Sequence, residues 1–262
     1  RRRQRQMCIR DRSGYGNTKS YLIPSIVIRS VMDIYNKRDY ELVIDICDKV
    51  LKDSHNYYSD ITRELTYWLC LALCRTQKEE RFYEEVKALD GADYWFLKGF
   101  FQRIATKYNS AENFLKKALE ISPSMQRAKR ELVTALLAQH RYPEALSLAK
   151  ENYERDSDNT YHMHAYFRCL VKKVNINRED IATLKELLDK MENSYSDKKE
   201  ELHMAMNIEF QANIKRKSPD EMLDLIRNAE KNFPSSVNIQ RAAHEYKLKQ
   251  AIVSKEVVFP ED

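Results

Sequence analysis

The sequence predicts an all-α protein built from antiparallel helical hairpins. Three observations favour this class: the 262 residues include only four Gly and six Pro, apolar residues recur at helical spacing, and no Asn-Gly or Asp-Gly turn separates alternating apolar runs. The one Asp-Gly pair, Asp90-Gly91, joins two helical patterns. A composition of 43% hydrophobic and 32% charged residues is typical of a soluble, nearly all-helical chain.

The clearest element is a two-helix unit between Ala92 and Met125. Small residues at facing positions of the two helices let their backbones approach closely, and a proline ends the second helix. A single hairpin cannot bury both of its faces, so neighbours with the same period are expected. The residues that define the unit are Trp95, Gly99, Ala111, Leu115, Ala118 and Pro123.

This spacing resembles the tetratricopeptide repeat, a 34-residue pattern that runs Trp, Leu-Gly, Tyr, then small, aromatic, small and Pro. Two positions depart from it, since Lys98 stands where the family has Leu and Gln102 where Tyr is usual. The resemblance implies a right-handed α-solenoid of antiparallel helical hairpins, with about six such repeats plus a terminal helix. It also implies that the protein is a protein-binding scaffold or adaptor.

Two hairpins are predicted before the central unit. Helices over 24–37 and 40–52 form the first, and Asp39 is the expected N-cap of the second of these helices. The next hairpin, over 59–89, has a clear apolar stripe but a second helix that is out of register, so we expect a slipped hairpin. Its sequence Thr76-x-x-Glu79 predicts a capping box.

The hairpin after the central unit is degenerate but in phase. Ala145 occupies the position of Ala111 one period later, and Pro143 is expected to start its helix. A further pair of helices is predicted over 161–173 and 180–193.

The last hairpin is predicted from Ala229 and Pro234, which lie three periods plus nine residues after the matching positions of the central unit. The last two hairpins are therefore expected to contain about nine additional residues of loop and helix. Ser218 and Glu221 predict a capping box at the final hairpin's second helix. Residues 237–252 are predicted to form the terminal helix.

The basic excess of the chain is confined to its first twelve residues. They hold six of the 45 basic and one of the 40 acidic side chains, which leaves 39 of each sign in the other 250 residues. We interpret RQRQMCIRDR as translated sequencing-adapter read-through in an assembled metagenomic sequence, so that the chain is a fragment; the alternative is a basic arm that contacts phosphates. The expected organisation is a non-native or disordered segment at 1–20, a helical repeat domain at 21–252 and a tail at 253–262.

No pattern of catalytic or metal-binding residues emerges. His162 and His164 are two apart and point to different sides of a helix, and the carboxylates are interleaved with Lys or Arg. Cys70 and Cys74 share a helix face, as half of a metal site would, but their position on an apolar face favours buried reduced thiols. The segment from Gly14 to Ser20 lacks the spacing of a phosphate loop. We therefore expect no enzymatic activity, no cofactor and no metal.

The chain is expected to be cytoplasmic and to bind neither membranes nor nucleic acid. Its apolar runs are too short for a membrane span, and no signal-peptide cleavage site follows the run at 21–28. A net charge of zero over residues 13–262 leaves little electrostatic drive toward nucleic acid.

The first helices of successive repeats are expected to line a concave groove that holds a protein or a peptide, with an acidic peptide among the candidate ligands. Arginine can bind carboxylates there, and aromatic residues can seat an apolar side chain. The alternative is that these arginines solvate exposed helix faces while Phe96 and Phe100 pack between hairpins. The predicted groove residues are Phe96, Phe100, Arg103, Arg127, Arg130, Tyr161, His164 and Arg168.

A second function class remains open at this point. The chain has the layout of the C-terminal sensor or oligomerisation arm of a larger bacterial nucleotide-hydrolysing defence or signalling protein. A start inside a longer polypeptide favours that role, although the 262 residues contain no trace of a catalytic domain.

Overall fold

The computed structural model describes residues 19–52, 59–192 and 197–253, and every regular element in these ranges is helical. The fold is all-α and made of helical repeats. The helices are α1 Lys19–Asn36, α2 Tyr40–Lys52, α3 Ser59–Thr76, α4 Glu79–Glu85 with the 3-10 turn Val86–Ala88, α5 Gly91–Ile104, α6 Tyr108–Ile121, α7 Gln126–Ala138, α8 Tyr142–Arg155, α9 Thr160–Val171, α10 Arg178–Glu192, α11 Asp197–Phe210, α12 Pro219–Asn232 and α13 Val237–Val253.

The helices form two compact units, which are described separately. The first contains α1 to α5 and ends at Thr106, and the second contains α6 to α13 and begins at Lys107. The boundary falls between the two helices of the central unit that the sequence predicts.

In the first unit, α3 packs against α1, α2, α4 and α5. Its fully buried Leu65, Leu69 and Leu73 form the middle of the core. Phe82 of α4 is also fully buried and stacks on Phe101 of α5, with ring centroids 4.6 Å apart. These contacts exist because α3 is apolar on more than one face, as a helix surrounded by others must be.

In the second unit, consecutive helices from α6 to α9 pack as antiparallel neighbours, and α7, α9, α11 and α13 also pack side by side. The C-terminal part of its core joins α11, α12 and α13 through Ile208, Met222, Ile226, Ile239 and Tyr246. In the N-terminal part, small residues at Ala111, Ala118, Ala145 and Ala149 are fully buried and allow close helix packing.

The 34-residue period holds in the middle of the chain and lengthens toward its end. Helices α7, α9, α11 and α13 begin at residues 126, 160, 197 and 237, so the spacing grows from 34 to 37 and then 40 residues. The last two intervals together exceed two periods by the predicted nine residues. Part of this excess is the π-helix Gln211–Lys215, which directly follows α11 and ends at Arg216 with a φ of 51°.

The positions that define the repeat are mostly buried. Gly99, Ala111, Leu115, Ala118, Ala145 and Ala229 are buried, whereas Trp95 is half-exposed. Pro123 and Pro234 are exposed and lie just beyond the ends of α6 and α12. A proline there stops the helix because it cannot donate the next backbone hydrogen bond.

The predicted capping box at Thr76 is wrong. Helix α3 continues through Thr76, whose hydroxyl donates back to the carbonyl of Ala72 at 3.1 Å. Helix α4 has Lys78 as its N-cap and no side-chain cap bond. A threonine hydroxyl can serve either the preceding or the following helix, and here it is used by the helix that contains it.

Other predicted helix starts are confirmed. The backbone N–H of Leu42 donates to Asp39 Oδ1 at 3.2 Å, and Pro143 lies in the first turn of α8. Ser218 and Glu221 form the predicted capping box at α12. Helix α1, by contrast, begins at Lys19, five residues before the predicted start at Pro24.

Ser218→Ala should lower the free energy of unfolding by about 1 kcal/mol because the N–H of Glu221 loses its acceptor. Urea denaturation followed by circular dichroism measures this change. Ser147→Ala is the matched control, since Ser147 is exposed in the middle of α8 and alanine favours the helix interior. Equal losses in the two variants would contradict a capping role.

The cysteines of the described ranges are buried and reduced. Cys47, Cys70, Cys74 and Cys169 are free thiols. Burial raises the pKa of the Cys47, Cys70 and Cys169 thiols to about 12, so they stay protonated at neutral pH. Cys8 lies outside the described residues.

No helix in the described ranges has the length and hydropathy that a membrane span requires. Within the same ranges, no three or more His, Cys, Asp or Glu side chains are grouped so that they could hold a metal ion.

Candidate partner-binding surface

Side chains of α7, α9, α11 and α13 meet on one surface of the second unit, which we call the first-helix face. Arg130 of α7 reaches Tyr161 of α9. Further along, α9, α11 and α13 are joined by polar contacts. We define the face by Arg127, Arg130, Tyr161, Arg168, Lys172, Glu209, Arg241 and Glu245.

The α7 end of this face is accessible. The guanidinium carbon of Arg130 lies 4.8 Å from the centroid of the Tyr161 ring, and that ring is 43% exposed. Arg127, one turn before Arg130, is also exposed. Arg130 Nε is 3.9 Å from Glu131 Oε1, and the Arg130 side chain remains 37% exposed. This end therefore presents Arg130 beside an aromatic ring, with a second cation, Arg127, one turn earlier on α7.

The α13 end of the face is a buried ionic cluster around Glu209. Arg241 Nη2 donates to Glu209 Oε1 at 2.8 Å, and Arg168 Nε lies 3.9 Å from the same oxygen. Glu209 is only 4% exposed and Arg168 15%. Burial raises the pKa of the Glu209 carboxyl to about 7, and the charge of Arg168 opposes this shift. Arg168 is thus directed at an internal carboxylate.

A second pair extends this cluster toward the C-terminal end of α13. Lys172 Nζ donates to Glu245 Oε2 at 2.8 Å, and Lys249 donates to Asn213 of the π-helix. Asn213 in turn donates to the carbonyl of Glu209 at 2.7 Å. The side chain of Asn213 therefore links α13 to the end of α11.

The predicted groove residues of the second unit differ in accessibility. Arg127, Arg130 and Tyr161 are accessible, whereas His164 is only 7% exposed. Arg168 is 15% exposed and faces the buried Glu209. His164 and Arg168 follow Tyr161 by one and two turns of α9, and Arg168 contacts Glu209 of α11.

The predicted groove residues of the first unit pack against their own neighbours. The Phe96 ring is 6.4 Å from the Tyr67 ring and 5.9 Å from Phe100, and both Phe96 and Phe100 are 3% exposed. The guanidinium groups of Arg75 and Arg103 lie over Phe100, at 4.9 Å and 5.1 Å from its centroid. Both phenylalanines thus present little area to a ligand.

Sequence reasoning missed Glu209 and Arg241, which form the ionic cluster with the predicted Arg168. It also missed Glu245, which pairs with Lys172 one turn after Arg168. Arg241 and Glu245 are four apart on the terminal helix, and Glu209 lies among apolar residues in α11. A lone carboxylate in an apolar stretch is a signal for a buried ion pair, because it is almost never buried without a partner.

His162, next to the face, gives the unit a pH dependence. Its ring is buried, and this desolvation lowers its pKa below the model-peptide value. Below about pH 6.5 the unfolded chain binds a proton that the folded chain does not, so stability falls as pH decreases. Urea denaturation should show a smaller loss between pH 7.5 and 5.5 for His162→Gln than for the parent. An unchanged loss would contradict this contribution.

Comparison with known families supports the repeat assignment. Residues 103–172, which include α6 to α9 and most of the first-helix residues described above, match the tetratricopeptide repeat family. This segment contains tetratricopeptide repeats. The comparison with curated proteins found no match.

Solved structures resemble the chain at low identity. A structure of PilF from Pseudomonas aeruginosa is 13% identical, with 85% of this chain and 97% of that chain covered and a TM-score of 0.52. YrrB, described as a tetratricopeptide repeat protein with an unusual peptide-binding site, is 15% identical over 75% of this chain and 96% of its own, with a TM-score of 0.43. Yeast Tom70 is 12% identical over 88% of this chain and 53% of its own, with a TM-score of 0.49. At these identities the likeness concerns the fold alone.

Proposed function

We propose that the chain is a protein-interaction scaffold whose first-helix face holds an acidic peptide segment of a partner protein. The observation that carries this proposal is the accessible combination of Arg127, Arg130 and Tyr161. Guanidinium groups bind carboxylates through paired, charge-assisted hydrogen bonds. The exposed part of the Tyr161 ring offers apolar area to a neighbouring side chain of the ligand.

The arrangement also indicates which part of the face a ligand contacts first. Arg168 and Arg241 share the Glu209 carboxylate, so a ligand carboxylate must compete with an internal one there. Arg127 and Arg130 are the more accessible cations. The ligand's acidic residues are therefore expected to lie over α7 and its apolar residue over Tyr161.

A scaffold role is consistent with the titratable side chains of the described ranges, which do not form a reactive cluster. The buried titratable groups there serve packing or internal pairs, as the Glu209 cluster and the protonated thiols do. The proposed non-enzymatic role rests on this distribution and on the repeat fold.

Fluorescence anisotropy with labelled peptides tests the proposal. Peptides that contain Glu or Asp residues next to one Phe or Leu should bind at 150 mM salt, and the same peptides with Lys in place of each acidic residue should not. Affinity should weaken as salt increases, because part of it is a contact between exposed charges. Equal affinity for the acidic and basic peptides would contradict an acidic ligand.

Single-stranded DNA of matched length separates a peptide site from a general anion site. The neutral charge balance outside residues 1–12 predicts that DNA binds more weakly than the acidic peptides. This arm needs a chain in which the arginines of residues 1–12 are replaced by Ser, so that those residues cannot contribute. Tighter binding to DNA than to every acidic peptide would contradict the proposal.

A further inference from the structure

One carboxylate serves two guanidinium groups at the α13 end of the first-helix face. Arg241 Nη2 donates to Glu209 Oε1 at 2.8 Å, whereas Arg168 Nε lies 3.9 Å from that oxygen, too far for a hydrogen bond. Within the described ranges, the Nε atoms of both arginines and Oε2 of Glu209 are buried without a hydrogen-bond partner. Buried polar atoms are rarely left in this state, so the cluster has unused capacity for hydrogen bonds.

The surroundings of Glu209 carry more positive than negative charge. Helices α9 and α13 together bring four cations and one further carboxylate to it, so the cluster with Glu209 has a net charge of +2. Helices α10 and α12 also pack on α11, but none of their described side chains forms an ion pair or hydrogen bond with Glu209. Cations held together in a partly buried place repel one another, and an added anion relieves that repulsion. The charged groups that face Glu209 are Arg168 and Lys172 of α9, and Arg241, Glu245 and Lys249 of α13.

An anion at this cluster lies on the same face as the ligand proposed above. The side chains of Arg168 and Arg241 remain 15% and 23% exposed, so each presents part of its guanidinium group to the surface. Arg168 follows Tyr161 by seven residues, which is about 10 Å along α9. An extended peptide covers that distance in about three residues. A peptide with one acidic residue over α7 can therefore place a second one, three or four positions away, at Arg168.

Glu209 compensates both guanidinium groups from inside while it is ionised. Burial raises the pKa of the Glu209 carboxyl to about 7, and the charge of Arg168 opposes this shift. A neutral Glu209 can still accept the hydrogen bond from Arg241, but it no longer balances the charge of either arginine. A buried or half-buried cation without a counter-ion is costly, so a carboxylate from outside is then bound more favourably.

We propose that Arg168 and Arg241 form a second carboxylate subsite of the first-helix face, which ionised Glu209 closes and neutral Glu209 opens to an acidic residue of the ligand. Binding there takes up a proton, because the ligand favours the neutral form of Glu209. The scaffold therefore holds an acidic partner more tightly as the pH falls from about 8 to about 6. The subsite deepens the proposed function and rests on it for the identity of the ligand.

Titration calorimetry at pH 8 and pH 6 tests the subsite with two peptides. One has a single acidic residue beside a Phe, and the other has a second acidic residue four positions away. The two-acid peptide should bind the parent chain about fivefold to tenfold more tightly at pH 6, since the neutral fraction of Glu209 rises from about a tenth to about nine tenths. The one-acid peptide should change less than about twofold, because its carboxylate stays ionised and contacts α7 alone.

Glu209→Gln removes the charge and keeps the shape of the side chain. This variant should bind the two-acid peptide at pH 8 as tightly as the parent does at pH 6. Calorimetry in buffers of different ionisation enthalpy should show uptake of about half a proton per peptide by the parent at pH 7 and none by the variant. Glu201→Gln is the matched control: Glu201 is a buried carboxylate of the same helix that accepts from Ser236, and its loss should leave the pH dependence unchanged.

Acetate separates failure of the subsite from failure of the proposed function. In nuclear magnetic resonance spectra of Glu209→Gln, acetate at tens of millimolar should shift the Nε–H signals of Arg168 and Arg241 and leave that of the exposed Arg155 in place. If no acidic peptide binds but acetate shifts these two signals, the subsite stands and the proposed function is wrong. If the two-acid peptide binds equally at both pH values and Glu209→Gln binds it no more tightly, the subsite is overturned while the ligand site over α7 stands. If neither acetate nor any acidic peptide binds, both proposals are overturned.

Discussion

Phe167→Ala should lower the free energy of unfolding by about 3 to 5 kcal/mol, because it removes a large side chain from a tightly packed interior. Phe167 is fully buried in α9, and α9 is surrounded by α7, α8, α10 and α11. These neighbours belong to several repeats, so the cavity cannot close by the movement of one helix. Urea denaturation followed by circular dichroism measures the loss.

Tyr161→Ala on the same helix is the control for this substitution. Its ring is 43% exposed and contacts Arg130, so its removal should cost less than about 1 kcal/mol. If Phe167→Ala proves no more destabilising than Tyr161→Ala, the division of α9 into a core side and an accessible side is wrong.

Arg127→Glu combined with Arg130→Glu should weaken binding of an acidic peptide by about 100-fold or more, since each lost charge-assisted bond contributes roughly 1.5 to 3 kcal/mol. The added carboxylates also repel the ligand. Stability should change little, because both side chains lie on the surface of α7. Isothermal titration calorimetry gives the affinity, and thermal unfolding confirms the fold.

Arg155→Glu is the matched charge reversal outside the face. Arg155 lies on α8 and is 55% exposed beside Glu151. It should leave affinity within about twofold of the parent, because isolated surface charges contribute little. An equal loss in Arg155→Glu and in the α7 double variant would show that net charge, and not the first-helix face, governs binding.

Arg168 is unsuitable for a charge-reversal test of binding. The reason lies in a contact that sequence reasoning could not predict. The repeat register correctly indicates that Arg130 and Arg168 occupy first helices. It does not reveal that Glu209 lies between Arg168 and Arg241. Arg168→Glu would place a second carboxylate beside a buried one, so it should destabilise the fold as well as change the surface.

The helical architecture could be predicted well because it depends on local patterns. Residue spacing, the prolines after α6 and α12 and short polar connections act within a few turns of chain. Helices α2 and α13 lie close to their predicted bounds, and α12 begins at its predicted capping box. The lengthening of the last repeats also follows from spacing, although the π-helix that takes up part of it does not.

The accessible surface was harder to predict because it depends on contacts between repeats. Tyr161 and His164 stand one turn apart on the same helix, yet only Tyr161 is exposed, whereas His164 is buried in a helix that packs against α7, α8, α10 and α11. Phe96 and Phe100 likewise meet Tyr67 and Arg75 of α3, which sequence spacing alone does not place beside them.

The measurement that tests the central claim most directly is a charge swap between Arg130 and its ligand. For an acidic peptide that binds the parent chain, each Glu or Asp is replaced in turn by Arg, and affinity is measured against both the parent and Arg130→Glu. We predict that one of these Arg peptides binds Arg130→Glu at least about tenfold more tightly than the acidic peptide does, since the swap restores an ion pair at the same place. If every peptide substitution weakens binding to Arg130→Glu as much as to the parent, Arg130 does not contact the ligand and the first-helix face is not where the partner binds.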